Sequence, residues 1–368
     1  MALSSLFRPV EFADIPGWYR DRMAAAFEAF QRSARHALVK PYKTGSLGVE
    51  AGAFIPAYEA AVASERLDYH ASTAFFERWF VPCSLRPENA DRGFVTGFYE
   101  PEATASPTRT AHFRHPIYSR PPDLIDLDES NRPPELDPYL AFGRSVGGKV
   151  AEYHDRRAIE EGALAGRGLE IAWLEDAVDV FFIHVQGAAR LKMPGGVKRI
   201  TYAAKSGQRF TGPGGVLADI GELRREDITM QSIRQWFRDH PGRIDEILWR
   251  NRSFIFFREA DVADPRLGPV AAAKVPLTSG RSIAVDRLLH TFGTPLFIHA
   301  PALAAFGEAP FRRLMIAQDT GSAIVGPARG DLFAGSGDEA GEIAGADGHD
   351  ETAAVLLKET LHALDGEA

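Results

Sequence analysis

The chain has 368 residues, 45% of them hydrophobic and 25% charged, which is ordinary for a soluble globular protein with more than one core. A net charge of −8 argues against nucleic acid as the main partner, and a single cysteine, Cys83, excludes an intrachain disulfide and a cysteine-based zinc site. The 34 glycines and 24 prolines favour strands and turns, so a mainly β fold is expected.

The N-terminal region, from about 15 to 81, predicts helices. Trp18, Phe27, Phe30 and Ala34 are spaced for one helical face, and residues 57–63 and 72–80 repeat the pattern. The chain shows no signal peptide and no lipobox cysteine, and no segment is long and apolar enough for a membrane span.

The middle of the chain predicts a separate α+β or β unit. FVTGFYEP (94–101) has strand character and precedes a stretch rich in proline, arginine and aspartate, so a boundary near Ala103 is expected. AVDVFFIHVQG (177–187) predicts a buried strand, and KRITYAAKSGQRF (198–210) a hairpin with Ser206-Gly207 at its turn. DITMQSIRQWFRDHPG predicts a capped helix that ends before Pro241.

The C-terminal third predicts a compact β domain, because strand signals recur at short intervals. They lie at 253–259, 281–286, 294–300, 313–319 and 352–358.

Two aspartates lie in the glycine-rich segment AQDTGSAIVGPARGDLFAGSG, namely Asp319 and Asp331. Apolar neighbours around tight backbone can raise the pKa of such a carboxyl group, so the segment is a candidate site for a catalytic acid. Asp319-Thr320-Gly321-Ser322 also matches the D-T-G-S signature of aspartic proteases, a chemistry that needs a second such aspartate. No other D-T-G occurs in the chain, although a homodimer could supply one, and an aspartate before Thr-Gly is more often a turn residue.

Several separated motifs, in one order, resemble the membrane-bound lytic murein transglycosylase A (MltA) family. They are FVTGFYEP, HFRHPIYSRPPDL, FFIHVQGAARL, YAAKSGQ, NRSFIFFRE, LTSGRSIAVDR, FGTPLF and AQDTGSAIVGPARGDLFAGSG, and they span about 93 to 345. The last block resembles the family's 3D domain, named for three aspartates, which would here be Asp286, Asp319 and Asp331.

The resemblance implies a mainly β, α+β fold with a helical N-terminal part. It implies a double-psi β-barrel domain, residues 1–103 and 243–368, interrupted by an inserted second β domain at 104–242, with a glycan groove between the two. It also implies a peptidoglycan lytic transglycosylase, a lyase that cleaves the β-1,4 bond between N-acetylmuramic acid and N-acetylglucosamine and leaves a 1,6-anhydromuramoyl end. Asp331 matches the catalytic aspartate, and Asp319 is expected nearby, where its charge would raise the pKa of Asp331.

The resemblance further suggests a set of sugar contacts, and Asp286 is expected to brace the barrel through an arginine. The sugar contacts are Thr96, Gly97, Tyr99, Glu100, Gln186, Gly187, Lys205 and Ser206. Each has a structural alternative, since aromatic residues in strands usually pack and hairpin residues are usually solvated. No metal and no cofactor are expected.

The expected partners are peptidoglycan strands, with cell-wall enzyme complexes as a further candidate, in the cell envelope or periplasm. The alternative from another functional class is a non-catalytic peptidoglycan-binding module on the same barrel.

Overall fold

The computed structural model describes residues 3–85, 93–301, 303–307, 310–345 and, for the backbone only, 349–358. The chain forms two compact units. The first unit contains Met1–Tyr99 and Val262–Ala368, and the second unit contains Glu100–Asp261.

Helices and strands are numbered in chain order within the described residues. The helices are α1 (Ala24–Val39), α2 (Ile55–Ala63), α3 (Tyr69–Trp79), α4 (Arg156–Ala158), α5 (Ala177–Gln186), α6 (Pro213–Asp219), α7 (Met230–Asp239), α8 (Ile244–Leu248) and α9 (Asp338–Gly345). The strands are β1 (Phe7–Pro9), β2 (Val81–Leu85), β3 (Gly93–Glu100), β4 (Glu102–Thr104), β5 (His115–Tyr118), β6 (Leu124–Asp126), β7 (Phe142–Val146), β8 (Lys149–Ala151), β9 (Glu170–Leu174), β10 (Ala188–Met193), β11 (Gly196–Lys205), β12 (Ile255–Glu259), β13 (Ser282–Val285), β14 (Pro295–Ala300), β15 (Phe311–Asp319), β16 (Arg329–Ser336) and β17 (His349–Lys358).

The predicted N-terminal helices are confirmed. In α1 the apolar face of Phe27, Phe30 and Ala34 is buried in the core of the first unit, together with Trp18. The helix ends at Val39, directly before Lys40-Pro41. Lys40 precedes a proline, and the α conformation is disfavoured at such a position.

The sheet of the first unit contains a closed ring of six strands. Its order is β1-β2-β17-β14-β15-β13-β16-β3, and β17 also pairs with β3, so β3, β16, β13, β15, β14 and β17 return to their start. The ring places β13 between β15 and β16, the two strands that carry Asp319 and Asp331. The double-psi crossing of the barrel stays a prediction.

The second unit mixes helices with three separate sheets, which agrees with the α+β alternative of the prediction and not with an insert made of strands alone. Its sheets have the orders β12-β11-β10-β4, β5-β9 and β6-β7-β8, and α4 to α8 lie in the same stretch of chain. Phe181 and Phe182 of α5 share a core with Trp236 and Phe237 of α7.

Segment 177–187 is a helix rather than the predicted strand. The apolar run of α5 is buried almost all round, so it shows no helical alternation of apolar and polar residues. The signals for a helix lie at its ends: the side chain of Asp176 accepts a hydrogen bond from the Val178 amide (2.8 Å), and Gly187 ends the helix with a φ of 73°.

The predicted hairpin at 198–210 is also wrong. β11 is one continuous strand, and its hairpin partner is β10, where Met193 pairs with Gly196 around a Pro-Gly turn. The other partner of β11 is β12, and that pairing keeps residues 255–259 in the second unit. The unit therefore extends to Asp261 instead of ending at the predicted 242. The helix predicted before Pro241 is confirmed as α7, whose cap is Thr229.

Candidate active site

Asp319 and Asp331 lie in one row across three strands of the barrel. Ala284 of β13 pairs with Asp331 of β16 on one side and with Asp319 of β15 on the other. Adjacent strands are about 4.8 Å apart, so two strand spacings, roughly 10 Å, separate the backbones at the two aspartates, and the register between β13 and β15 shifts by one residue just before Asp319. The glycine-framed aspartates singled out in the sequence therefore belong to one site.

Asp331 is held by a neighbour on β3. The hydroxyl of Thr96 donates a hydrogen bond to Oδ1 of Asp331 at 2.6 Å. The guanidinium of Arg329 donates to Thr96 Oγ1, also at 2.6 Å, and lies over the ring of Phe94 at 4.9 Å. Phe94 and Thr96 on β3, like Arg329 and Asp331 on β16, are two residues apart, so each pair shares one face of its strand.

Burial is the main cause of an unusual acidity at Asp331. It raises the pKa of this carboxyl from 3.8 to about 6, against the hydrogen bond from Thr96 and the positive charge of Arg329, which both lower it. A substantial share of the Asp331 carboxyl is therefore protonated just below neutral pH.

Asp319 has a similarly raised pKa, with a different set of partners. Burial again contributes most to raising it to about 6, and the negative charge of Asp331 adds to the rise. The backbone amides of Thr320 and Ala272, the latter 3.1 Å from Oδ1, and the positive charge of Lys274 oppose it. The negative charge of Asp331 thus acts on Asp319, and the expected effect of Asp319 on the pKa of Asp331 stays a prediction.

Lys274, on the loop that holds Asp319, has a φ of 64°, the one positive value at a non-glycine position among the described residues. The amide of Lys274 bonds the carbonyl of Ala271, and the amide of Ala273 bonds the carbonyl of Gln318. The loop is therefore fastened to the end of β15, beside Asp319.

Asp286, the third aspartate, has a structural position. Its Oδ1 accepts from the Leu288 amide and its Oδ2 from the Gly326 amide, both at 3.0 Å. These contacts brace two loops of the barrel through backbone amides, instead of through the arginine that the sequence suggested.

Of the sugar contacts predicted on β3, Thr96 is the one that bonds the acid. A Cβ atom on Gly97 would lie 2.9 Å from the Cα of Ala344, so the glycine lets α9 approach β3 closely. Tyr99 is only 7% exposed, and its ring lies against Gly341 of the same helix. The structure gives both residues a packing role, and their contact with sugar stays a prediction.

Glu100 is fully buried in the second unit. Its Oε2 lies 2.8 Å from Nε of Arg190 and 3.5 Å from a terminal nitrogen of Arg199. A fully buried carboxylate beside two cations has an internal structural role, and the predicted sugar contact of Glu100 stays a prediction.

The four predicted contacts at the ends of α5 and β11 fall into two groups. Gln186, half-buried, and Gly187 end α5, and the carbonyl of Gly187 accepts from the Tyr202 amide at 2.7 Å. Lys205 is half-buried and lies 5.2 Å from the ring centre of Tyr139. Ser206 is fully buried, and its hydroxyl accepts from the Phe254 amide at 2.9 Å, so it has a structural role and its sugar contact stays a prediction.

Sequence reasoning missed Arg329 and Phe94, the two residues that complete the surroundings of Thr96. The signal available for both was strand alternation, since each lies two residues from a predicted site residue.

The described part of the chain has neither a metal-binding cluster nor a membrane-spanning helix. It contains no group of three or more histidine, cysteine, aspartate and glutamate side chains arranged to hold a metal ion. None of its helices combines the length and apolar character needed to cross a bilayer.

Comparison with known proteins identifies the family. The MltA specific insert domain matches residues 94–258, and the 3D domain matches residues 281–357. A crystal structure of a membrane-bound lytic murein transglycosylase from Agrobacterium tumefaciens is 51% identical, with a TM-score of 0.90 over 96% of this chain and 97% of that one. The chain belongs to the MltA family.

Two Escherichia coli relatives extend the comparison. The MltA structure with bound chitohexaose is 26% identical, with a TM-score of 0.66 over 92% of this chain and 91% of that one. The curated membrane-bound lytic murein transglycosylase A is 32% identical over 256 residues, which are 68% of this chain. The match spans 61% of that curated relative's length. The resemblance inferred from separated motifs is confirmed, and the D-T-G-S segment belongs to the 3D domain of an MltA protein.

Proposed function

We propose that this protein is a peptidoglycan lytic transglycosylase in which Asp331 acts first as general acid and then as general base. The observation that carries the proposal is the raised pKa of Asp331, about 6, in a carboxyl bonded by Thr96 on the barrel's sheet. A catalytic acid works best when its pKa lies near the operating pH, and a carboxyl group with a pKa of about 6 is partly protonated just below neutral pH.

The substrate class follows from the relatives. Their names refer to murein, and the E. coli structure contains chitohexaose, a β-1,4-linked polymer of N-acetylglucosamine. Peptidoglycan strands have the same linkage, with N-acetylmuramic acid at alternate positions. The bond to be cleaved is therefore the β-1,4 bond from N-acetylmuramic acid to N-acetylglucosamine.

One carboxyl group suffices for this reaction because the nucleophile belongs to the substrate. Protonated Asp331 gives its proton to the glycosidic oxygen as the bond from that oxygen to C1 breaks. The C6 hydroxyl of the same muramic acid attacks C1 and closes the 1,6-anhydro ring, and its proton passes to the Asp331 carboxylate. The acid is thereby regenerated without water, and the attack has the advantage of an intramolecular reaction.

Asp319 is assigned a supporting role. Its carboxyl shares the row of Asp331 across Ala284, and its pKa of about 6 allows one proton to be kept in the pair near neutral pH. The predicted glycan groove, the sugar contacts at Gln186 and Lys205, and a location in the cell envelope belong to the same proposal.

The test is a digest of purified sacculi by the wild type and by Asp331→Asn, with mass spectrometry of the released muropeptides. The wild type is expected to release 1,6-anhydromuramoyl products, and Asp331→Asn to slow their release by about 10²–10⁴-fold, since an amide cannot transfer the proton. Asp14→Asn, a change at an exposed position of the same unit, is the matched control and should match the wild type.

Each other result points to another function. Ordinary reducing ends in place of anhydro ends would indicate a hydrolase. Sacculus binding by wild type and Asp331→Asn alike, without product from either, would indicate a binding module. Full activity in Asp331→Asn would mean that another residue is the catalytic acid, and Asp319→Asn would then be tested in the same way.

A further inference from the structure

Arg329 is a cation whose charge acts on the proposed acid, and its contacts fix it in place. Its guanidinium lies over the ring of Phe94, donates to the carbonyl of its neighbour Gly330, and donates to Thr96 Oγ1. Phe94 is 37% exposed, so the ring holds the guanidinium at the surface, beside the acid.

The chemistry of these groups fixes the direction of the hydrogen bonds. A guanidinium can only donate, so Thr96 Oγ1 is the acceptor for Arg329. The single hydrogen of the Thr96 hydroxyl is then directed to Oδ1 of Asp331, 2.6 Å away. A hydroxyl oxygen that already accepts a hydrogen bond from a cation is a stronger donor and a weaker acceptor. Donation from Thr96 to Asp331 is therefore favoured over donation from Asp331 to Thr96.

We propose that Arg329 is a positioning residue that fixes the Thr96 hydroxyl as a donor to Oδ1 and thereby keeps the transferable proton of Asp331 on Oδ2. The inference rests on the proposed function of Asp331 and adds a role that neither the family assignment nor the sequence analysis gives to Arg329. A proton on Oδ1 would point at Thr96 and would be lost to the reaction. A proton on Oδ2 is the one available to the leaving oxygen, and Oδ2 is then the atom that accepts the C6 hydroxyl proton.

A double-mutant cycle tests this order of action. Arg329→Met removes the donor, Thr96→Val removes the hydroxyl at constant shape, and the double variant removes both. The rate of anhydro-product release is measured as kcat and KM on soluble glycan strands. Each single variant is expected to lose about tenfold to a hundredfold in kcat with KM near the wild-type value, the usual effect of a charge-assisted hydrogen bond.

The decisive prediction concerns the double variant. If Arg329 acts through Thr96, the double variant is no slower than the slower single variant. Thr96→Ser, which retains a hydroxyl, should recover most of the activity that Thr96→Val loses. Arg287→Met, at an exposed arginine of the same unit, controls for the lost positive charge and should behave as wild type.

Two kinetic results would overturn the proposal. Multiplied losses in the double variant would mean that the two residues act independently. A rise in KM with unchanged kcat in Arg329→Met would make Arg329 a direct sugar contact.

A readout without turnover keeps the inference separate from the proposed function. The carboxyl carbon of Asp331 is titrated by ¹³C NMR in the wild type, Thr96→Val and Arg329→Met. Both variants should raise the pKa of Asp331, because the Thr96 hydrogen bond and the Arg329 charge each lower it. An unchanged pKa of Asp331 in Arg329→Met refutes the proposal that Arg329 acts on Asp331 through Thr96. A wild type that makes no anhydro product refutes the proposed function alone.

Discussion

Asp331 and Asp319 have in common a carboxyl group that is easier to protonate than in water. Burial raises both pKa values to about 6, and Thr96 and the Ala272 amide prevent a larger rise. The charges of the two groups repel one another, so the protons leave the pair in steps that belong to both. At the residue scale, the site contains two carboxyl groups that bind and release protons at about pH 6.

The activity of the wild type is expected to fall as the pH rises through about 6. Asp331 must be protonated at the start of the reaction, and its protonated fraction decreases above its pKa of about 6. The measurement is kcat/KM for anhydro-product release between pH 4.5 and pH 8, values chosen to be about two units either side of that pKa.

Asp319→Asn gives the matched comparison for this pH profile. It removes a negative charge that repels ionised Asp331, so the descending limb should move to lower pH. A profile that rises or stays flat across the range would exclude Asp331 as the acid.

Asp331→Asn is expected to increase stability at alkaline pH and not at acid pH. The folded pKa of Asp331, about 6, lies above its unfolded value of 3.8, so the unfolded chain gives up this proton first as the pH rises. The stabilisation from the protonated form is complete below about 4 and is lost as the pH rises through about 6. The amide does not ionise, so the variant should gain about 1–3 kcal/mol at pH 8.

Urea unfolding at pH 4 and pH 8 measures that difference, with Asp14→Asn as the exposed control. Lower stability of Asp331→Asn at pH 8 would mean that its carboxylate is well solvated and stabilises the folded protein.

At the residue scale, the sequence identified Asp319 and Asp331 from the glycine-rich segment around them, and Thr96 from the family motif that contains it. It did not identify the buried positions of Glu100 and Ser206. The partners of these residues, Arg190 and Phe254, lie far along the chain, so no local pattern indicated the contacts. A polar residue at a strand end looks the same in sequence whether it meets solvent or an internal arginine.

At the element scale, α5 shows where pattern reading fails. The strand was predicted because the run is short and apolar throughout, and such a run fits a buried strand and a buried helix equally. The Asp176 cap and Gly187 were the distinguishing features. By contrast, α1 and α7 have one apolar face each and were predicted correctly.

Gly97→Ala is expected to destabilise the first unit and to slow the reaction. The added Cβ would lie 2.9 Å from the Cα of Ala344, and backbone cannot rotate away as a side chain can. β3 or α9 must therefore shift, at a cost of about 1–3 kcal/mol, and the shift displaces the neighbouring Thr96 from Asp331.

Thermal unfolding and kcat together test this expectation. Gly52→Ala is the control, because a Cβ there meets no atom within 4 Å. Wild-type stability in Gly97→Ala would show that the contact between α9 and β3 is loose.

At the scale of the whole molecule, the order of the motifs predicted the insertion but not the residue at which it ends. The chain leaves the barrel after β3 and returns before β13, as the motif order predicted. The second unit ends at Asp261 and not at the predicted 242, because β12 pairs with β11. Pairing between distant strands decides which unit a segment belongs to.

The predicted sugar contact of Lys205, in the second unit, has a kinetic signature of its own. A polymer substrate extends well beyond the bond that is cleaved, and a sugar contact that is unchanged on reaching the transition state stabilises ground state and transition state equally. Lys205→Met should therefore raise KM by about fivefold, the loss of one hydrogen bond, and leave kcat unchanged.

The effect of Lys205→Met should also grow with glycan length, since short strands do not reach every subsite. Lys198→Met, on the same strand but paired with Glu259 at 2.5 Å, is the control for lost charge and should leave KM unchanged. Equal KM values for Lys205→Met and wild type at every length would assign Lys205 to packing against Tyr139 alone. Reduced kcat at constant KM would instead mean that the change disturbs the placement of the sugar at the acid, because only an interaction specific to the transition state lowers kcat without changing KM.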